Sequence, residues 1–303
     1  MISRTGASFD AAAEEGPFHP GELQAQELAG GGPPGAGMRD WMTEQHRTFF
    51  KALPYVVVAS LDVGWPAATM LAGAPGFISA PDEHTLQIAA GLSSDPMQRA
   101  LRPGDPAGVL GIDFATKRRN RANGLVTAAD ARGFTLDVRQ SFGNCPQYIH
   151  VREVERAAPR TAPPEALRQL DQPARAQIEA ADTFFVASAA RTAEPNGGVD
   201  ISHRGGPPGF VRVEGSTLTI PDYRGNRYFN TLGNFVSNPR AALLFVDFAT
   251  GDLLHLQGTV EIVWDGPEVR TFLAAQRLWR VHVERTLRRR GALPLRWTFH
   301  AVR

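Results

Sequence analysis

Ser202-His203-Arg204-Gly205-Gly206-Pro207-Pro208-Gly209-Phe210 opens the stretch that decides the fold. It continues through Leu218-Thr219-Ile220-Pro221-Asp222-Tyr223-Arg224-Gly225-Asn226-Arg227, Leu232-Gly233-Asn234 and Ser237-Asn238-Pro239-Arg240, and ends on the apolar run Ala241 to Phe248. The pattern reads as strand, polar turn, short helix and buried strand. Arg224, Asn226 and Arg227 in the turn can surround an anion, because arginine presents a planar fork of donors suited to phosphate. The plainer alternative is a solvated turn between strands.

Working outward, short apolar runs recur between Gly and Pro turns. Tyr55–Leu61, Ala67–Leu71, Gly76–Ile78, Thr85–Ala89, Ala107–Phe114, Leu125–Ala128, Gly133–Arg139 and Tyr148–Val154 read as strands of a barrel or sandwich. Helices are expected over Pro20–Leu28, from Met38 to Leu53 with Trp41, Met42, Phe49 and Leu53 on one face, over Met97–Leu101, and over Glu165–Ala181 with an interruption at Pro173. Gly30 to Gly37 is a breaker-rich linker. Trp279 to Leu287 alternates like a strand, and Arg288-Arg289-Arg290 reads as a solvated strand end rather than a nucleic-acid site.

The chain repeats itself. Val58-Ala59-Ser60 returns as Val186-Ala187-Ser188, Thr85-Leu86-Gln87-Ile88 as Thr217-Leu218-Thr219-Ile220, and Ile112-Asp113-Phe114-Ala115-Thr116 as Val246-Asp247-Phe248-Ala249-Thr250. Ile149-His150-Val151 is matched to Val281-His282-Val283. The offset grows from 128 at Val58 to 134 at Asp113, which puts the extra residues around Arg191 to Gly198. A repeat of about this length is a domain rather than a solenoid module. Arg204 falls opposite Leu71 in the first copy, so the second copy is expected to hold the anion and the first to wall the pocket.

The quoted residues resemble the flavin-binding core of the pyridoxamine 5'-phosphate oxidase-like split barrels. The likeness covers most of residues 45 to 290. It implies a mainly β fold with minor α, namely tandem FMN-binding split β-barrels behind an N-terminal helical arm. It also implies that Arg204, then Asp222, Tyr223, Asn226 and Arg227, hold the flavin and its phosphate, with Arg224 beside them. Gly205 and Gly206 would let a flat ring approach the backbone, although glycines at such a junction are more often turn formers. Gln140-Ser141-Phe142-Gly143-Asn144-Cys145-Pro146-Gln147-Tyr148 resembles stretches in duplicated members. Ser141, Asn144 or Gln147 would then bond the ring's polar edge; the alternative is a tight loop around a buried free cysteine. His203, next to Arg204, is a minor candidate for proton transfer.

The expected organisation is a flexible arm over 1–37, a degenerate barrel over 38–156, a linker helix within 157–181 and an FMN-binding barrel over 182–303. The arm either wraps a neighbouring subunit or packs on its own barrel. Family members are usually homodimers, and two barrels in one chain can make that interface internally; a homodimer of the whole chain stays open. The implied activity is an FMN-dependent oxidoreductase of unknown substrate, with NAD(P)H or a partner reductase as electron source. The alternatives are a flavin carrier or sensor, and a haem- or deazaflavin-binding barrel.

Composition narrows the rest. A formal net charge of +1 over 303 residues gives no global field toward nucleic acid. Cys145 is the only cysteine, which removes an internal disulfide, a cysteine-rich zinc site and a four-cysteine cluster within this chain. No metal site, signal segment or membrane span is expected, and the cytoplasm is the default setting.

Overall fold

The computed structural model describes residues 16–91, 100–158, 160, 162–191 and 196–299. Helix α1 (Pro20–Leu28) and helix α2 (Glu44–Ala52) precede strands β1 (Tyr55–Asp62), β2 (Trp65–Ala72), β3 (Ile78–Ser79), β4 (Thr85–Ile88), β5 (Pro106–Asp113), β6 (Arg118–Asp130), β7 (Gly133–Gly143) and β8 (Arg152–Arg156). The second half contains β9 (Glu165–Leu167), α3 (Gln172–Ala180), β10 (Thr183–Ala189), β11 (Val199–Gly205), β12 (Arg212–Glu214) and β13 (Thr217–Asp222). Helix α4 (Asn230–Ser237), β14 (Arg240–Val246), β15 (Leu253–Val263), β16 (Arg277–Arg289) and β17 (Leu295–Phe299) complete it. The protein is mainly β, in the split-barrel arrangement expected from the sequence.

The two halves share one topology. The first sheet runs β2-β1-β5-β6-β7-β4-β3 and the second β11-β10-β14-β15-β16-β13-β12, which is the same order of corresponding strands. Contacts between halves are reciprocal: β2 meets β14 as β11 meets β5, and β8 pairs antiparallel with β17. That is the pattern of a two-fold pseudo-dimer within one chain.

Burial explains why β1 and β10 are apolar along both faces. Side chains alternate across a strand. Val56 and Val58 fill the first half's interior, as Phe184 and Val186 fill the second. Tyr55, Val57, Phe185 and Ala187 point the other way, into a third core between the halves that also holds Leu110, Ile112, Leu244 and Trp297.

Several expectations are corrected. The Met38–Leu53 helix begins only at Glu44, because Thr43 caps it by accepting from His46 N; Met42 is buried ahead of the cap. The Glu165–Ala181 segment is not one helix broken at Pro173. It is a short strand, then α3, whose first turn contains Pro173 and whose cap is Asp171, accepting from Ala174 N. Proline is tolerated there because a first-turn N–H has no intrahelical partner to lose. Leu167 pairs with Thr286 just ahead of α3, as Arg39 bridges Ser141 just ahead of α2. The caps Thr43 and Asp171 stand at the repeat's own offset of 128, so α3 is the counterpart of α2 rather than a free linker.

His282 lies in β16, opposite Thr217, where Asp137 of β7 lies opposite Thr85. The match of Ile149–Val151 to Val281–Val283 is therefore wrong in register. Residues 1–15 of the expected arm, the Met97–Leu101 helix for the most part, and the insertion around 192–195 fall outside the described residues. The rest of the arm is not loose: α1 packs on α4 of its own chain. No helix among the described residues is long and apolar enough to cross a membrane.

Candidate functional site

One cleft gathers the β11 segment Ser202–Gly205, the turn after β13, the first turn of α4 and, from the other half, β6 and the loop after β7. Arg204, Gly205, Asp222, Tyr223, Arg224, Asn226, Arg227, Asn144 and Gln147 all line it. Ser141 and Gly206 are absent from the lining. Ser141 is a strand residue, because β7 runs on to Gly143; it turns inward, with its Oγ 2.9 Å from His46 Nδ1. Gly206 packs against the Phe210 ring, which a Cβ would approach to 2.7 Å, and its carbonyl lies 3.0 Å from His150 Nε2. Cys145 is exposed, not buried.

The lining contains six arginines, Arg119, Arg121, Arg204, Arg224, Arg227 and Arg277, against one carboxylate, Asp222. A chain of net charge +1 concentrates cations here, which is what an anion requires. Asp222 is buried between Arg204 Nη1 at 2.9 Å and Arg277 Nη1 at 2.7 Å, so it orients both arginines. Arg204 Nε has no hydrogen-bond partner among the described residues. Arg227, at φ 60, donates to the carbonyls of Ala29 and Gly31 just beyond α1, and so ties the arm to the turn. Asn226 Oδ1 accepts from Tyr228 N, and the Arg224 carbonyl accepts from the Tyr148 hydroxyl at 3.1 Å. The Tyr148 and Tyr223 rings stack at 5.4 Å across the mouth, one from each half.

Three arginines escaped the sequence reading. Arg119 and Arg121 belong to Arg118-Arg119-Asn120-Arg121-Ala122-Asn123, whose polarity disguises the first half of β6. The alternation of Arg119, Arg121 and Asn123 was the available signal. These side chains share a face turned toward β11: Asn123 Nδ2 lies 3.0 Å from Asp200 Oδ1, and Arg121 Nη1 lies 2.9 Å from the same oxygen. Arg277 offered no local signal, since its partner Asp222 is far away in sequence.

Arg121 is committed through both terminal nitrogens, while its buried Nε has no partner among the described residues. Besides Asp200 it donates to Ser202 Oγ at 2.7 Å and Asn230 Oδ1 at 3.3 Å. Among the described residues Arg119 donates only to neutral groups, the carbonyls of Cys145 and His203 and His203 Nδ1. Burial, with Arg121 and Arg204 near, lowers its pKa to about 9, so it stays charged at neutral pH. A guanidinium with no carboxylate among its bonds is an invitation to an anion.

Helix α4 adds polarity of its own. Its N-cap, Phe229, is left-handed at φ 61 and supplies no capping side chain, while Asn230, Thr231 and Leu232 of its first turn line the cleft. Uncapped first-turn N–H groups favour negative charge. Behind them, Asn230 Nδ2 donates to Glu22 of α1. Burial raises the Glu22 carboxyl to about 8.

Residues 170–296 match the family model of pyridoxamine 5'-phosphate oxidase. No curated protein matches the chain. The solved structures it resembles include HupZ of Group A Streptococcus, at 18% identity over 37% of this chain and 87% of that one, with a TM-score of 0.30. A putative pyridoxamine 5'-phosphate oxidase of Lactobacillus delbrueckii has 13% identity over 40% and 94%, with a TM-score of 0.31. Another, from Corynebacterium glutamicum, has 18% identity over 42% and 98%, with a TM-score of 0.30. The matched span runs from α3 into β17 and carries Ser202–Arg204, the basic turn and α4. This part, the half that supplies most of the cleft, is similar to the pyridoxamine 5'-phosphate oxidase family.

Proposed function

We propose that the cleft binds flavin mononucleotide and that the protein is a flavin-dependent oxidoreductase. The observation that carries this reading is the charge of the lining, six arginines against one buried, doubly paired aspartate, with four of the arginines in the half that matches the family model. The donor set fits a phosphorylated flavin. Arg224 and the uncapped first turn of α4 suit the phosphate. Asn144 Nδ2, His203 Nε2 and Arg204 Nε are buried donors with no partner among the described residues, as a polar ring edge would require. When bound, the flavin supplies electron or hydride transfer; the chain supplies orientation and electrostatics. Arg204, held by Asp222, offers a fixed cation, and Tyr148 with Tyr223 narrows the mouth against water.

The test is direct. Protein titrated with FMN and with riboflavin should bind FMN more tightly, because only FMN carries the phosphate. Bleaching of the bound flavin by a nicotinamide cofactor, and its return in air, marks an enzyme. Binding without bleaching marks a carrier that needs a partner reductase. Lack of binding to either flavin overturns the reading.

A further inference from the structure

Arg119 and His203 come from different halves of the chain and meet in the cleft. A guanidinium has N–H donors and no acceptor. The 2.9 Å contact from Arg119 Nη1 to His203 Nδ1 therefore makes Nδ1 the acceptor and leaves the imidazole proton on Nε2. That Nε2 is buried and has no hydrogen-bond partner among the described residues, although His203 lines the cleft and is only 5% exposed.

The ring is also held in place. Phe114 and Phe185 meet it edge-on at 6.3 and 5.9 Å. Two residues on is a glycine, Gly205, where a Cβ would stand 2.2 Å from the Tyr148 carbonyl oxygen and 3.0 Å from His203 Cε1. The charged and titratable neighbours are Arg119 on β6, Arg204 on β11, His150 in the loop ahead of β8, and Arg152 on β8. The nearby carboxylates are already paired: Asp200 with Arg121, Asp222 with Arg204 and Arg277, and Asp182 with Arg152 at 2.5 Å. Burial, followed by Arg119 and the other cations, pushes the His203 pKa well below its ordinary value, so the ring stays neutral.

We propose that His203 is a tautomer-locked, neutral Nε2–H donor to a carbonyl oxygen of the flavin ring, and that Arg119 of the other half is the positioning residue that sets the lock. The proposal rests on the flavin reading for its ligand. A neutral N–H suits a carbonyl acceptor, whereas a phosphate dianion is better served by Arg224 and the uncapped first turn of α4.

Two measurements test it. In ligand-free protein, 15N NMR of His203 should show Nδ1 unprotonated and Nε2 protonated, with no change from pH 5 to 8. An Nδ1–H tautomer or an imidazolium at pH 7 overturns the lock. Flavin titrations then address the ligand. His203→Phe should weaken FMN and riboflavin alike, by roughly tenfold, the size of one hydrogen bond. His203→Gln, whose amide nitrogen reaches about as far as Nε2, should restore most of the loss. Arg119→Met should release the lock, so that the 15N spectrum shows Nδ1–H and Nε2–H rings together and riboflavin affinity falls; a variant that keeps the single Nε2–H ring overturns the role of Arg119. A loss confined to FMN, or no loss with His203→Phe, overturns the ring contact. If His203→Phe does not fold, His203→Gln and the NMR still decide. If wild type binds neither flavin, the flavin reading falls and takes the ring contact with it, while the NMR still judges the lock.

Discussion

Asp222 sets the direction of the cleft's cations. With one oxygen on Arg204 and the other on Arg277, it fixes both arginines and cancels one charge. Arg204→Gln should therefore lower FMN affinity by about ten- to a hundredfold, the worth of one or two hydrogen bonds to a charged group. Flavin fluorescence titration reads the change, and a circular dichroism melt shows whether the fold is retained. At this scale much of the cleft was legible. Arg204, Asp222, Tyr223, Arg224 and Asn226 stand in a motif dense enough to mark them, and Asn144 and Gln147 in another. Ser141 was misjudged because β7 runs on through it, and the strand's alternation turns it away from the cleft. Arg227 does line the cleft, but its Nη2 is spent on arm carbonyls, and a contact so distant in sequence has no local signature.

At the scale of elements, α1 is the clearest case of a segment legible alone and illegible in context. Its bounds followed from Pro20 and the breakers after Leu28. Its seat on α4 did not, because that depends on two glycines far apart in sequence. A Cβ on Gly21 would stand 2.4 Å from the Gly233 carbonyl oxygen, and one on Gly233 2.5 Å from Glu22 Cα. Gly233→Ala should therefore push α1 off α4, seen as faster proteolysis within residues 16–31. Glu22 adds a pH dependence. Its carboxyl is raised from 4.5 to about 8 by burial, so the folded state favours the proton. The resulting stability is complete below about pH 4.5 and is lost as the pH rises toward 8, at no more than about 1.4 kcal/mol per pH unit. Melting temperatures of wild type should fall across that window relative to Glu22→Gln, which has nothing to ionise.

For the whole molecule, the doubled barrel was visible in the repeated segments, and the matching strand orders repeat it in three dimensions. The internal interface was harder to read. Val57 and Phe185 look like ordinary core residues, yet each lies in the cluster shared by both halves. Phe185→Ala should cost about 3–5 kcal/mol, as for other large-to-small changes in a core. Denaturant unfolding should stay a single transition by tryptophan fluorescence and by circular dichroism. Two separated transitions would mean that the halves fold independently.

The pairing of β8 with β17 carries a consequence for biosynthesis. When β8 leaves the ribosome its partner has not yet been translated, and Tyr55, Val57, Leu110 and Ile112 have no second half to cover them. The nascent first barrel must wait, greasy side outward, until the last strands of the second have been made. Holdase chaperones and the pace of elongation should therefore govern the yield of this protein more strongly than its final stability does.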